Sequence, residues 1–174
     1  AFRAPTSLEL YGFGGNPKLD PEISRNVEAS ISGEFRSRHR YALTAFRNQI
    51  DDLIEFVFTD PENFIGENRN VEEAEIEGIE LSYAYQGKSW RVRSEITLQD
   101  ANNKSDDQRL LRRARQMFTF SLVRQIGEHD VGVDVLATDD REDFGGVRLA
   151  GYVLANLTSR FRGGDQWQRK ANVG

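Results

Sequence analysis

Arg112 and Arg113 stand side by side at the end of a polar stretch. Each guanidinium offers a planar fork of five N–H donors, suited to amide carbonyls or to phosphate. The bland use of either is an ion pair to a glutamate on a neighbouring strand. Phe13 lies between Gly12 and Gly14; glycines let the backbone bend and leave the ring exposed, to pack on a bulky ligand or on nearby loops. Asn16-Pro17 and Asp20-Pro21 then bracket a stiff segment, because proline fixes φ and pushes its predecessor toward extended geometry. Carboxylates recur at Asp51-Asp52, Asp106-Asp107 and Asp139-Asp140, with Glu142 and Asp143 close by. Paired loop carboxylates hold calcium in some proteins, but no EF-hand spacing is present, so solvated, self-repelling loops are expected. His39 and His129 fall in short turns without partners at metal-ligand spacing. No Gly-rich phosphate loop, nucleophile elbow or metalloprotease helix motif occurs. The chemistry on offer is binding: no catalytic residue, metal or cofactor is expected, and no enzyme.

What positions these residues is a pattern of period two. From Glu22 to Phe35, Ile23, Val27, Ala29, Ile31 and Phe35 share one face, while Glu22, Ser24, Asn26, Glu28, Ser30, Ser32 and Glu34 share the other; Arg25 is the main exception. Alternation of this kind marks a half-buried strand. It predicts eight strands near 22–35, 39–50, 73–86, 89–100, 114–126, 129–138, 149–162 and 166–173, and no amphipathic helix. Four connections are short (36–38, 86–88, 127–128, 163–165) and three are long and polar (51–72, 101–113, 139–148), in strict alternation. Antiparallel strands send alternate connections to opposite ends of a sheet, so one end carries tight turns and the other long loops. Outer-membrane barrels have this asymmetry.

With 174 residues, 38% of them hydrophobic and 29% charged, and a mean hydropathy of −0.61, the chain reads at first as soluble. Its longest apolar run, Tyr152–Ala155, excludes a spanning helix, which needs roughly 20 apolar residues. It does not exclude a membrane barrel, whose strands carry polar residues on every second position. Strands longer than the usual five or six residues and a heavily charged polar face (Glu22, Glu28, Glu80, Arg91, Arg93, Glu95) favour a barrel with a wet lumen over a soluble β-sheet protein. Eight strands could also close a small barrel by themselves. The net charge of −5 gives no footprint for nucleic acid. Zero cysteines exclude disulfides and thiolate metal sites, and no signal-peptide h-region follows Ala1. Tyr41, Tyr83, Tyr85, Trp90, Tyr152 and Trp167 lie near strand ends, and because several cluster by the short turns an interfacial aromatic girdle is expected there.

Several motifs go further. Phe2-Arg3-Ala4-Pro5-Thr6, Leu10-Tyr11, Gly15-Asn16-Pro17-Lys18-Leu19-Asp20-Pro21-Glu22, Phe46–Ile54 and Ala74–Glu80 occur in an order that resembles the barrel of TonB-dependent outer-membrane receptors. Leu10-Tyr11-Gly12-Phe13 and Leu110–Gln116 are most similar to the cobalamin-binding branch of that family; ferric siderophore receptors share the general motifs. The resemblance implies an all-β, antiparallel transmembrane barrel of about 22 strands, closed by a plug. It reads residues 1–174 as about eight strands of that single barrel domain, with the plug and the last strand outside the chain. It implies transport in place of catalysis: binding of a corrinoid, or alternatively a siderophore, and uptake driven by TonB through the plug. The full-length receptor would be a monomer in the outer-membrane bilayer of a Gram-negative bacterium. Phe13 and Arg112 match ligand-facing positions of the cobalamin branch, whose calcium sites lie on an earlier loop. Cobalamin receptors carry a second aromatic where this chain has Gly14.

Overall fold

The computed structural model describes residues 1–60, 62–104, 108–162 and 168–173. Its main feature is one antiparallel sheet. In chain order the elements are β1 (Phe2–Arg3), α1 (Ser7–Tyr11), β2 (Glu22–Phe35), β3 (His39–Asp60), β4 (Ile65–Gln86), β5 (Trp90–Asn103), β6 (Gln108–Arg109), β7 (Gln116–Ile126), β8 (His129–Thr138), β9 (Arg141–Asp143), β10 (Val147–Leu149), β11 (Tyr152–Arg162) and β12 (Gln168–Val173). Strands pair with their neighbours in the order β1-β2-β3-β4-β5-β7-β8-β11-β12, with β6 folding back on β5. β9 and β10 form a separate small hairpin. The expected all-β antiparallel segment is therefore present.

Among the described residues β2 and β12 do not pair, so the sheet is an open wall. This corrects the alternative of a small barrel closed by these eight strands. The other edge is partly covered, since β1 runs along the first two residues of β2.

Register fixes which residues share a face. Opposed residues of antiparallel strands point to the same side. Ile31 opposes Leu43, Leu43 opposes Leu81, Leu81 opposes Ile96, and Ile96 opposes Phe118. Phe118 opposes Ala137, and Ala137 opposes Val153. One apolar band thus runs across the whole wall. Among the described residues no second layer covers it: Val27 is 72% exposed, Ile31 67% and Val153 68%. A soluble sandwich would bury this face. From Val27 to Phe35 the strand rises roughly 27 Å along its axis, or about 21 Å of bilayer at a tilt near 40°. The opposite face carries Glu28, Glu34, Arg40, Glu80, Arg93, Glu95, Asp134 and Arg160, the composition of a water-filled lumen. There Asp130 is buried between Arg91 at 3.4 Å and Arg162.

At the short-turn end the outward face ends in aromatics. His39 Nδ1 meets the Tyr83 hydroxyl at 2.9 Å, and its ring packs on Tyr85 at 4.8 Å. His129 packs on Phe161 at 5.0 Å. The two histidines thus begin strands and join the girdle expected of Tyr41, Tyr83, Tyr85 and Trp90. Tyr41 folds over Gly33, its ring lying where a side chain there would stand. Tyr152 opposes Thr138 at the long-loop end, apart from that girdle. Trp167 and the 163–165 turn lie outside the described residues.

The long connection at 51–72 is a second correction. β3 and β4, each 22 residues, stay paired from Leu53 with Val71 to Asp60 with Ile65, well past the end of β2. The β-favouring run Phe56-Val57-Phe58 and ladder pairing, interrupted only by a register shift between Phe58 and Asp60 and at Asp52, override the polar composition. The protruding arm stands roughly 25 Å above the rim.

Candidate functional site

The long-loop end brings together two packed units, each holding one of the residues singled out in the sequence. The first is the N-terminal loop against the β3–β4 arm. α1 is only one turn and a half, yet it is fully capped: the Thr6 hydroxyl accepts from the Glu9 N–H at 3.3 Å, and the Thr6 N–H donates to the Glu9 carboxylate at 2.7 Å. The Thr6-x-x-Glu9 signature of a capping box was legible in the sequence, although no amphipathic run followed it. Arg3 joins this knot by donating to Glu9 at 3.0 Å and to Glu22 at 2.7 Å. The Arg3 hydrogen bond holds the Glu22 carboxyl below its ordinary range against the opposing effect of burial, and the Ile54 N–H adds to it. Desolvation pushes Glu9 up, but the Thr6 and Arg3 hydrogen bonds outweigh it and the net shift is downward.

Past Gly12 the loop is sewn to the arm by asparagines. The Asn68 N–H donates to the Gly14 carbonyl at 2.7 Å, and Asn16 Nδ2 donates to the Asn68 carbonyl at 3.0 Å. Asn70 Nδ2 reaches the carbonyls of Asp20 and Asp52 at 3.0 and 2.7 Å. The Asn-Pro and Asp-Pro motifs therefore clamp the loop as expected. Phe13 stacks on Phe56 with centroids 6.1 Å apart and remains 77% exposed. Phe56 meets Phe58 edge-on at 5.2 Å, and Phe58 meets Phe64 at 6.4 Å. Gly14 has φ +65°, and a Cβ there would run into the Phe56 ring and lie 2.6 Å from the Gly66 carbonyl. The second aromatic of cobalamin receptors has no space at this position. Phe56 and Phe64 were not singled out in the sequence; the arm that presents them was read as loop.

The second unit surrounds Arg112. Leu110 is buried against Ala74 and Ala101 on the inward face, and its N–H donates to the Ala101 carbonyl at 2.9 Å. Ala114 is buried too, and its carbonyl accepts from Gln99 Nε2 at 2.9 Å. Between these anchors Arg112 adopts φ +60° and is exposed. Its Nε donates to Asp143 Oδ1 at 2.7 Å, and its N–H to the Glu142 carbonyl at 2.7 Å. The ion pair expected as the alternative use of Arg112 is thus present, but with a loop hairpin and not with a neighbouring strand's glutamate. Arg148 closes the same hairpin by donating to Asp140 at 2.6 Å, and that bond brings the Asp140 carboxyl down to about 2. Arg113 is exposed beside Arg112. Phe13 and Arg112 share the rim but belong to separate units. Among the described residues no group of three or more His, Cys, Asp or Glu is arranged to hold a metal; Asp106-Asp107 lies outside them.

A wall of antiparallel strands, lipid-facing on one side and polar on the other, with tight turns below and built loops above, is the wall of an outer-membrane β-barrel. The whole chain, residues 1–174, matches the family described as TonB dependent receptor-like, beta-barrel, and belongs to it. Its relatives are outer-membrane proteins of Gram-negative bacteria, and so is this chain. It is 31% identical over 99% of its length to the vitamin B12 transporter BtuB of Vibrio vulnificus, and 30% identical over 92% to that of Photobacterium profundum. The chain spans only 28% and 27% of those two proteins. The fold is similar to that of the copper transporter OprC, with a TM-score of 0.75 at 21% identity, covering 93% of this chain and 27% of that one. It is also similar to the siderophore receptor PirA of Acinetobacter baumannii, with a TM-score of 0.71 at 19% identity, covering 91% and 28%.

Proposed function

We propose that this chain is part of the barrel of an active-transport receptor that binds a corrinoid at its long-loop rim and passes it inward. In this reading the long loops are extracellular and the short turns periplasmic. Phe13 gives an apolar platform for the bulky ligand, and Arg112 donates to its amide carbonyls or phosphate. No covalent bond is made or broken. TonB supplies the energy through a plug carried elsewhere in a full-length, monomeric receptor, and the plug packs against the charged inward face.

The observation that carries the reading is the exposed Phe13 ring stacked on Phe56, on a loop sewn to a rigid arm. A preformed aromatic platform binds a large rigid ligand at small entropic cost. The names of the two relatives above point to vitamin B12 as the corrinoid. The test is uptake by a strain that lacks its own receptor and makes the full-length protein. Corrinoid accumulation that disappears when TonB is deleted is expected. Accumulation of ferric siderophores alone would move the assignment to the siderophore branch.

A further inference from the structure

We propose that the short-turn end binds the phosphate headgroups of anionic phospholipids in the periplasmic leaflet through the lipid-facing Arg36 and Arg124. The proposal rests on the reading that these turns face the periplasm.

The chain is acidic overall, with net charge −5, and most of its carboxylates stand at the long-loop end, where Arg112, Arg148 and Lys104 pair with some of them. Asp51, Asp52, Asp60, Glu67, Asp139, Asp140, Glu142 and Asp143 all lie toward the long-loop end. The β2–β3 turn carries Arg36 and Arg38, the β4–β5 turn Lys88, and the end of β7 Arg124. Arg36 and Arg124 are held on the lipid-facing side. The Arg36 guanidinium sits 4.9 Å above Phe35, and that of Arg124 4.8 Å above Trp90. Both rings belong to the outward girdle. Cation–π stacking engages the flat face of a guanidinium and leaves its N–H edge to donate. Arg38, Arg40 and Lys88 line a polar groove with Ser37, Gln86 and Glu34 beside it. Glu34 belongs to the inward face, and Glu128 is the acid of the next turn.

The backbone adds a second sign. Arg36 and Ser37 have φ of 52° and 50°, where glycine or asparagine would sit without strain. A non-glycine turn held there costs stability, and such strain is commonly kept where a side chain is needed. The level matters as well. Headgroup phosphates lie just beyond an aromatic girdle, and a cation facing an anionic surface gains attraction there that zwitterionic lipid does not return.

The test uses the full-length receptor, purified in mild detergent and exchanged into mixed nanodiscs of phosphatidylglycerol and phosphatidylethanolamine. Lipids retained on release are counted by native mass spectrometry. Enrichment of phosphatidylglycerol is expected, falling about fivefold for each arginine lost in Arg36→Gln and Arg124→Gln. Arg36→Lys with Arg124→Lys should keep most of it, and Lys104→Gln at the opposite end should keep all of it. Heat-modifiable gel migration verifies that each barrel is folded. Unchanged enrichment in the double glutamine variant would overturn the site, as would equal loss in Lys104→Gln or displacement of the lipid by millimolar inorganic phosphate. Corrinoid plays no part in this assay, so failure to bind it leaves the lipid result standing. Labelling of Ser37→Cys from outside intact cells would overturn the orientation on which both readings rest.

Discussion

Arg112 Nε donates to Asp143 Oδ1 at 2.7 Å across two loops that are 31 residues apart in sequence. Asp143 fixes where the guanidinium stands, and the buried Leu110 and Ala114 fix where the backbone places it. Arg112→Ala in the full receptor is expected to weaken corrinoid binding by about tenfold, the worth of a charge-assisted hydrogen bond. Arg113→Ala should do less. Asp143→Asn should fall between them, because it releases the arginine without deleting it. Equal effects of the two arginine variants in equilibrium dialysis would count against Arg112 as the contact.

The aromatic platform gives a second expectation. Phe13→Ala removes the exposed ring and leaves the clamp made by Asn16, Asn68 and Asn70, so binding should weaken about threefold to tenfold while the folded barrel keeps its thermal stability. Gly14→Ala acts differently. A left-handed φ costs a Cβ-bearing residue about 1–2 kcal/mol, and here the Cβ also meets Phe56. The loop should loosen from the arm, seen as faster hydrogen exchange at Asn68, whose amide is bonded to Gly14.

The outward band sets a stability expectation. Ile31 lies in mid-band, opposed by Leu43. Ile31→Arg should cost about 2–4 kcal/mol of folding free energy in bilayers, as charged residues do at the lipid midplane of a barrel. The neighbouring Ser30→Arg faces the inward side and should cost far less. Equilibrium unfolding from vesicles measures both.

Acid should release the β9–β10 hairpin. Asp140 ordinarily titrates at 3.8 and is brought to about 2, chiefly by the hydrogen bond from Arg148. A carboxyl with a depressed folded value contributes stability that is full above its unfolded value and fades as pH falls toward the folded one. Protection factors across residues 141–149, corrected for the intrinsic exchange rate, should therefore fall between about pH 4 and pH 2. Asp140→Asn should show low protection at neutral pH and little further change on acidification.

The strands below the rim were legible because lipid and lumen impose opposite demands on alternate residues. Glu22–Phe35 and His39 onward read out at their observed starts, as did His129–Thr138. The long connections hid more. Above the membrane both faces of a strand meet water, so Asn68 and Asn70 look like loop residues although they carry the ladder and the clamp. The α1 turn was signalled by Thr6 and Glu9 alone. Phe13 and Arg112 were visible as residue types, but their partners Phe56 and Asp143 lie in segments whose pairing only tertiary structure settles. Gly14 was visible only as a departure from the cobalamin branch; the Phe56 ring gives its reason.

The most direct test of the account is calorimetric titration of the full-length receptor with cyanocobalamin and, separately, with ferric siderophores. Saturable corrinoid binding at or below micromolar concentration, weakened by Phe13→Ala and by Arg112→Ala, is the expected result. Absence of corrinoid binding at that concentration, with a ferric siderophore bound instead, would contradict it.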